Sequence, residues 1–217
     1  MPRATRPVDS ALPTALPADT QRRVPTQERS RARLARILAC AEALIAEKGS
    51  DRLRMAEVAD AAGISIGSLY QYFPEKSAII HALAAGYNAA CRETIVASLR
   101  DVSDVPGFIA AFTELMTGFY ALVRNSPVIR DIWAGMQADR TLAALQLEES
   151  RAMGELLAST VARVRPRLDP RHLSVTTFLL WDLGDATVRL AIASDEESGA
   201  EMVATYTRMA VRQLTTM

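Results

Sequence analysis

The 217 residues are 49% hydrophobic and 23% charged, an ordinary globular composition with enough chain for a sizeable core. Formal net charge is zero, which argues against a non-specific architectural coat for nucleic acid, but the charge is unevenly placed. Residues 1–54 hold eleven Arg/Lys against six Asp/Glu, a net of +5, and residues 55–217 hold fourteen against nineteen, a net of −5. A basic front on an acidic body suits a chain that meets phosphate at one end only.

Five of the ten prolines fall in the first 25 residues, among Ala, Thr, Asp and Arg. That stretch cannot bury enough apolar surface to offset its ordering entropy, so residues 1–26 are expected to be a disordered extension, either an inert leader or one whose Arg22 and Arg23 touch DNA. From Thr26 the pattern turns helical. Leu34, Ile37, Leu38, Ala41, Leu44 and Ile45 recur at three- and four-residue spacing over 27–48, with Arg29, Arg33 and Arg36 on another face. Gly49 stops this helix. Short helices follow over 55–62 and 66–73, the second capped by Ser65, and a long one over 75–100 after Pro74.

Pro106 opens a helix to about Asn125, and Ser126-Pro127 starts a short one. A helix over 139–164 is stopped by Pro166, and Asp169-Pro170 begins another to about Ala193. Ser194-x-x-Glu197 reads as a capping box for a last helix over 197–215. The apolar stretch 173–193 is broken by Asp182, Asp185 and Arg189, so it reads as a packed helix and not a membrane span. The N-terminus has no apolar core of a signal peptide. Cys40 and Cys91 have no Cys-x-x-Cys spacing, and His81 and His172 stand alone, so neither a disulfide nor a metal site is expected. The prediction is all-α, with about nine helices.

The chemistry concentrates at 58–76. Gly63 stands where two helices must turn sharply, and Ala59 and Ala62 let them pack closely. Leu69 and Phe73, four apart, face inward with Val58 and Ile64. Ile66, Gly67, Ser68, Tyr70, Gln71 and Tyr72 are then left for a DNA groove. Gln can pair with adenine, Ser can meet either kind of base edge, Ile can pack on a thymine methyl, and Tyr hydroxyls can hold phosphates. Gly67 lets the helix end approach the duplex. Lys76 lies in the first turn of a helix, where the macrodipole disfavours a cation by about 0.3–1 kcal/mol, so a phosphate there would explain it.

This run, Val58-Ala59, Ala62-Gly63-Ile64-Ser65, Gly67-Ser68-Leu69-Tyr70-Gln71-Tyr72-Phe73 and Lys76, resembles the DNA-binding domain of the tetracycline-repressor (TetR) family of bacterial regulators. The resemblance covers residues 27–80. It implies a helix-turn-helix domain over 27–76 and an effector-binding and dimerisation domain over 77–217. Ser65, Ile66, Ser68 and Gln71 would reach bases, and Tyr70, Tyr72 and Lys76 would hold phosphates. Arg54 stands near where the family has a capping Thr, so it is expected to offer a phosphate contact in place of a cap.

In the body, Phe112, Met116, Phe119, Tyr120, Trp133, Met136, Met153, Phe178 and Trp181 are bulky, adaptable side chains suited to an apolar effector pocket, though most could simply fill the core. Polar groups that could orient an effector are few: Arg130, Gln137, Thr177 and Asp182. Asp182 is the better ligand or interface candidate, favouring a cationic effector if it faces the pocket, while Asp185 is expected to pair with Arg189 four residues on. The last two helices, where the resemblance places the family's dimerisation surface, carry small positions Gly184, Thr187, Ala191, Thr205 and Ala210, so a homodimer face is expected there. The expected function is a cytoplasmic dimeric regulator, most simply a repressor released from a palindromic DNA operator by a small hydrophobic effector, with no cofactor. Alternatives are an activator or effector-independent regulator, or an all-α enzyme, which no nucleophile–base pair supports.

Overall fold

In a computed structural model, residues 24–136 and 140–217 are described, with side chains over 27–133 and 146–217; residues 1–23 of the predicted leader, Gln137, the start of the helix predicted from 139 and the Met136 side chain lie outside them, while residues 24–26, expected in the leader, already belong to the first helix. Among the described residues there are nine α-helices and no strand. They are α1 (Val24–Lys48), α2 (Met55–Ala62), α3 (Ile66–Tyr72), α4 (Lys76–Arg100), α5 (Val105–Asn125), α6 (Pro127–Met136), α7 (Arg140–Val164), α8 (Pro170–Ile192) and α9 (Glu196–Thr216).

The helix ends follow local chemistry. Gly49 and Gly63 take φ of 85° and 63°, the left-handed conformation that closes α1 and α2. The Ser65 hydroxyl accepts from the Ser68 N–H at 3.2 Å, and Asp169 accepts from the His172 N–H at 3.0 Å. Ser126 caps α6 by accepting from the Ile129 N–H at 3.3 Å. One end differs from expectation. The α9 cap is Asp195, accepting from the Ser198 N–H at 2.9 Å, while the Ser194 hydroxyl donates back to the Leu190 carbonyl at 3.0 Å. An ionised carboxylate suits a helix N-terminus better than a hydroxyl does, and the Ser198 N–H in turn lowers the Asp195 carboxyl below its usual range.

Two apolar clusters organise the chain. The first gathers Ile37, Ile45, Val58, Leu69, Phe73, Ile79 and Leu83 from α1–α4, and also Val128 and Ile132 from α6. It therefore reaches well past the expected boundary at residue 76. The second joins the end of α4 to α5 and α7–α9 through Phe108, Phe112, Val123, Leu157, Val188 and Leu214. Helix α4 runs through both clusters, and Tyr87 and Trp133 pack against each. Helix α5 is long and apolar enough to cross a membrane by length and composition alone, but its stripe of Phe108, Phe112, Met116, Tyr120 and Val123 is buried in the second cluster. In that cluster α7 packs on α8, α8 on α9, and α5 against both α8 and α9.

Candidate nucleic-acid interface

Helix α3 is anchored from one side only. Leu69 and Phe73 are buried in the first cluster, while Ile66 is 43% and Tyr70 50% exposed, with Ser65, Gly67 and Gln71 also exposed. An isoleucine and a tyrosine held four residues apart in water, beside a glutamine, make a small amphipathic facet of the kind that meets base edges and phosphates. Ser68 and Tyr72 are half-buried, and the Tyr72 hydroxyl lies 3.4 Å from the Ser30 hydroxyl of α1. The Ser65 oxygen already serves as the α3 cap, which fixes where its hydroxyl can point.

Around this facet the charges are partly committed. The Lys76 ammonium donates to the Ser50 and Asp51 carbonyls at 3.2 and 3.1 Å. Its place in a helix first turn thus has an explanation inside the chain, which replaces the macrodipole argument for a phosphate. Lys48 pairs with Glu57 across α1 and α2, and that hydrogen bond chiefly holds the Glu57 carboxyl below its usual range. Arg54 is exposed at the N-cap of α2, and its side chain caps nothing. Lys48, Arg52 and Arg54, with Asp51, Leu53 and Glu57, line an open recess of about 480 Å³.

The body disposes its candidates differently from a ready-made pocket. Phe112, Met116, Tyr120 and Met153 are buried in the second cluster as packing residues. Phe119 and Trp133 are half-buried, with rings 5.4 Å apart, and Trp181 is half-buried against the core. Phe178 lies beneath the Arg151 guanidinium at 5.1 Å. Asp182 is exposed on α8, outside the packed core of this chain, which suits the interface side of its two expected roles. Arg130 and Thr177 are also occupied, by the Arg124 carbonyl at 2.8 Å and the Leu173 carbonyl at 2.9 Å. Asp185 pairs with Arg189 as expected, and burial raises its carboxyl against the pull of that arginine.

Two polar residues that sequence reasoning passed over stand out on α7. The Gln146 Oε1 and Ser150 Oγ atoms are buried without a hydrogen-bond partner, and Ser150 is only 1% exposed. Their i, i+4 spacing puts them on one helix face, and that spacing was the available signal.

The face of α8 and α9 is also redistributed. Gly184 packs on Tyr206, and Ala191 and Ala210 are buried, so these small residues serve contacts within the chain. The outward residues are instead Val175, Leu179, Leu183, Leu190, Met202 and Met209.

A helix-turn-helix with one solvent-facing helix, joined to a larger helical body, is the architecture of a DNA-binding transcription regulator. Residues 37–83 match the family model for bacterial regulatory proteins of the tetR family, and residues 106–217 match that for the tetracyclin repressor-like C-terminal domain. The second match alone takes in more than half of the chain, which belongs to the TetR family.

A TetR-family transcriptional regulator from Streptomyces coelicolor superposes with a TM-score of 0.64 at 26% identity, covering 86% of this chain and 97% of the other. The structure of RolR in complex with the ligand resorcinol shares the fold, with a TM-score of 0.59 at 18% identity over 87% of this chain and 95% of RolR. The nucleoid occlusion factor SlmA of Haemophilus influenzae is 26% identical over 132 residues, 61% of this chain and 54% of SlmA. The chain thus spans about half the length of the curated relatives it matches.

Proposed function

We propose that the protein is a cytoplasmic homodimeric repressor that reads a palindromic operator with α3 and leaves it when a small effector occupies the body. The observation that carries this reading is the exposed Ile66, Tyr70 and Gln71 facet on a helix locked from behind by Leu69 and Phe73. In this reading Ser65, Ile66, Ser68 and Gln71 face bases across Gly67, and Arg54, Tyr70 and Tyr72 hold phosphates, with Lys76 placing the loop before α2 and sharing its remaining N–H. The unit spans residues 27–76 and is completed by the start of α4 and by α6, with effector binding and dimerisation in the remainder.

The test is a duplex selected from a random library by the wild-type chain. Gln71→Ala is expected to cost about 1–3 kcal/mol per half-site and to relax preference at one base pair. Tyr70→Ala should weaken all sequences alike and leave the preference intact. A Gln71→Ala protein with unchanged base preference would overturn the assignment of α3.

The effector is proposed to be a neutral molecule carrying a hydroxyl or N–H group on an apolar body. Gln146 Oε1 can only accept a hydrogen bond and Ser150 Oγ can do either, so together they call for such a donor. Resorcinol, in the RolR complex, is a hydroxyl-bearing molecule of that kind. A buried hydroxyl without a partner costs about 1–3 kcal/mol. Ser150→Ala is therefore expected to raise the melting temperature of the ligand-free protein by about 2–4 °C, at about 1 kcal/mol. The same change should weaken phenolic ligands about tenfold in calorimetry. A lower melting temperature together with unchanged phenol affinity would sink the idea. Effector and operator must weaken each other by the same factor, since the coupling is one free energy.

A further inference from the structure

Helix α1 ends in a way that hands one of its donors to a distant helix. The Gly49 N–H returns to the Ile45 carbonyl at 2.9 Å, the simple left-handed closure that leaves the next amide free. That next amide, Ser50 N–H, donates to the Asp131 Oδ2 of α6 at 2.5 Å, across 81 residues of sequence. A Cβ on Gly49 would stand 3.8 Å from the other carboxylate oxygen, so Asp131 lies against the whole turn.

Ser50 is held on its other side as well. Its carbonyl, with that of Asp51, accepts from the Lys76 ammonium at the start of α4. Ser50 is buried and opens the short loop that carries Arg52 and Arg54 into α2. Val128, one turn before Asp131, and Ile132, the residue after it, sit in the first cluster with Leu69 and Phe73. Trp133, next to Ile132, touches both clusters and meets Phe119 of α5. Helix α6 is thus fixed to the DNA-reading module by Val128, Ile132 and one charged hydrogen bond, and to the body by Ile129, with Trp133 against both.

We propose that Asp131 is a positioning residue for DNA reading: its carboxylate holds the Ser50 peptide, and so sets the α1–α2 loop and helices α2 and α3 relative to the body. Apolar contacts alone are non-directional and would let the module slide on α6; a charged, short hydrogen bond to a peptide N–H fixes both distance and direction. The proposal rests on α3 being the recognition helix, and it makes the link from α6 to the α1–α2 loop direct rather than carried only along α4.

Three variants test it: Asp131→Ala removes the acceptor, Asp131→Asn keeps one without the charge, and Asp131→Glu keeps the charge but displaces it by a methylene. Hydrogen exchange read over residues 50–62 needs no DNA. Exchange there is expected to rise about tenfold in Asp131→Ala, to return most of the way in Asp131→Asn, and to lie between in Asp131→Glu. Affinity for the library-selected duplex should fall about tenfold in Asp131→Ala and recover in Asp131→Asn, with affinity for a random-sequence duplex unchanged.

Unchanged exchange in Asp131→Ala overturns the proposal whatever DNA does. Raised exchange with full operator affinity overturns it too, because Asp131 would then secure the loop without positioning α3. If Asp131→Ala does not fold, Asp131→Glu carries the same two readouts. A wild-type chain that selects no duplex overturns the repressor reading and this role with it, while the exchange result still reports the contact.

Discussion

Placing a glutamate at both Leu190 and Met209 is expected to give a folded monomer that has lost its operator. Leu190 is 65% and Met209 66% exposed, the most water-facing large apolar residues on α8 and α9. On α8, Leu190 continues a stripe: Val175, Leu179, Leu183 and Leu190 recur at intervals of four, four and seven residues, all exposed. That stripe runs along about 22 Å of helix at 1.5 Å per residue, too long and too regular to be scattered surface leucines. A second copy of the same face would bury it by two-fold symmetry. Two glutamates per subunit would leave four uncompensated carboxylates in the joined face, each costly to desolvate. The second cluster is complete within one chain, so helicity should persist.

Operator affinity should then fall by about three orders of magnitude, toward non-specific binding, because one module no longer has a partner at the neighbouring major groove, about 34–36 Å away. Analytical ultracentrifugation and a gel shift read the two effects separately. A variant that stays dimeric would move the interface elsewhere. A monomer that binds the operator like wild type would remove the need for a dimer altogether.

The parts of this molecule that were legible in sequence are those written locally. Leu69 and Phe73 announce the inward side of α3 by spacing, Gly63 announces the turn, and Ser65, Ser126 and Asp169 announce caps within three residues of the amides they serve. The α9 cap slipped by one residue because Ser194 and Asp195 are both competent caps. The contacts that were not legible are those made across distance. Nothing near Asp131 says that it meets Ser50, and nothing near Lys76 says that two carbonyls wait for it. Small residues on α8 and α9 signal close approach but not to whom. Here Gly184 and Ala210 bring those two helices of one chain together, and the larger apolar residues are left for the outside.

Two glycines in similar helical settings are expected to respond to alanine with opposite signs. Helical glycine costs about 0.5–1 kcal/mol relative to alanine through backbone entropy, so wherever space is free the exchange should stabilise. Gly118 on α5 is exposed and a Cβ there would meet nothing within 4 Å, so Gly118→Ala should raise stability by about that amount. Gly199, in the first turn of α9, is the reverse case. Its Cβ would fall 2.5 Å from the Ala191 carbonyl oxygen and 2.5 Å from the Tyr120 hydroxyl, where α5, α8 and α9 meet. Tyr120 is buried and the carbonyl belongs to helix backbone, so neither can simply step aside. Overpacking of this kind costs about 1–3 kcal/mol, which exceeds the propensity gain. Gly199→Ala should therefore destabilise by about 1–2 kcal/mol and Gly199→Leu by about 3 kcal/mol or more, lowering the melting point by about 2–4 °C per kcal/mol. Because α9 carries Met202 and Met209 on its outer side, a shift forced at Gly199 should also weaken self-association. Thermal unfolding of all three variants at one protein concentration decides the matter, and equal signs for the two alanines would show that α9 does not approach α5 and α8 as closely as this packing requires.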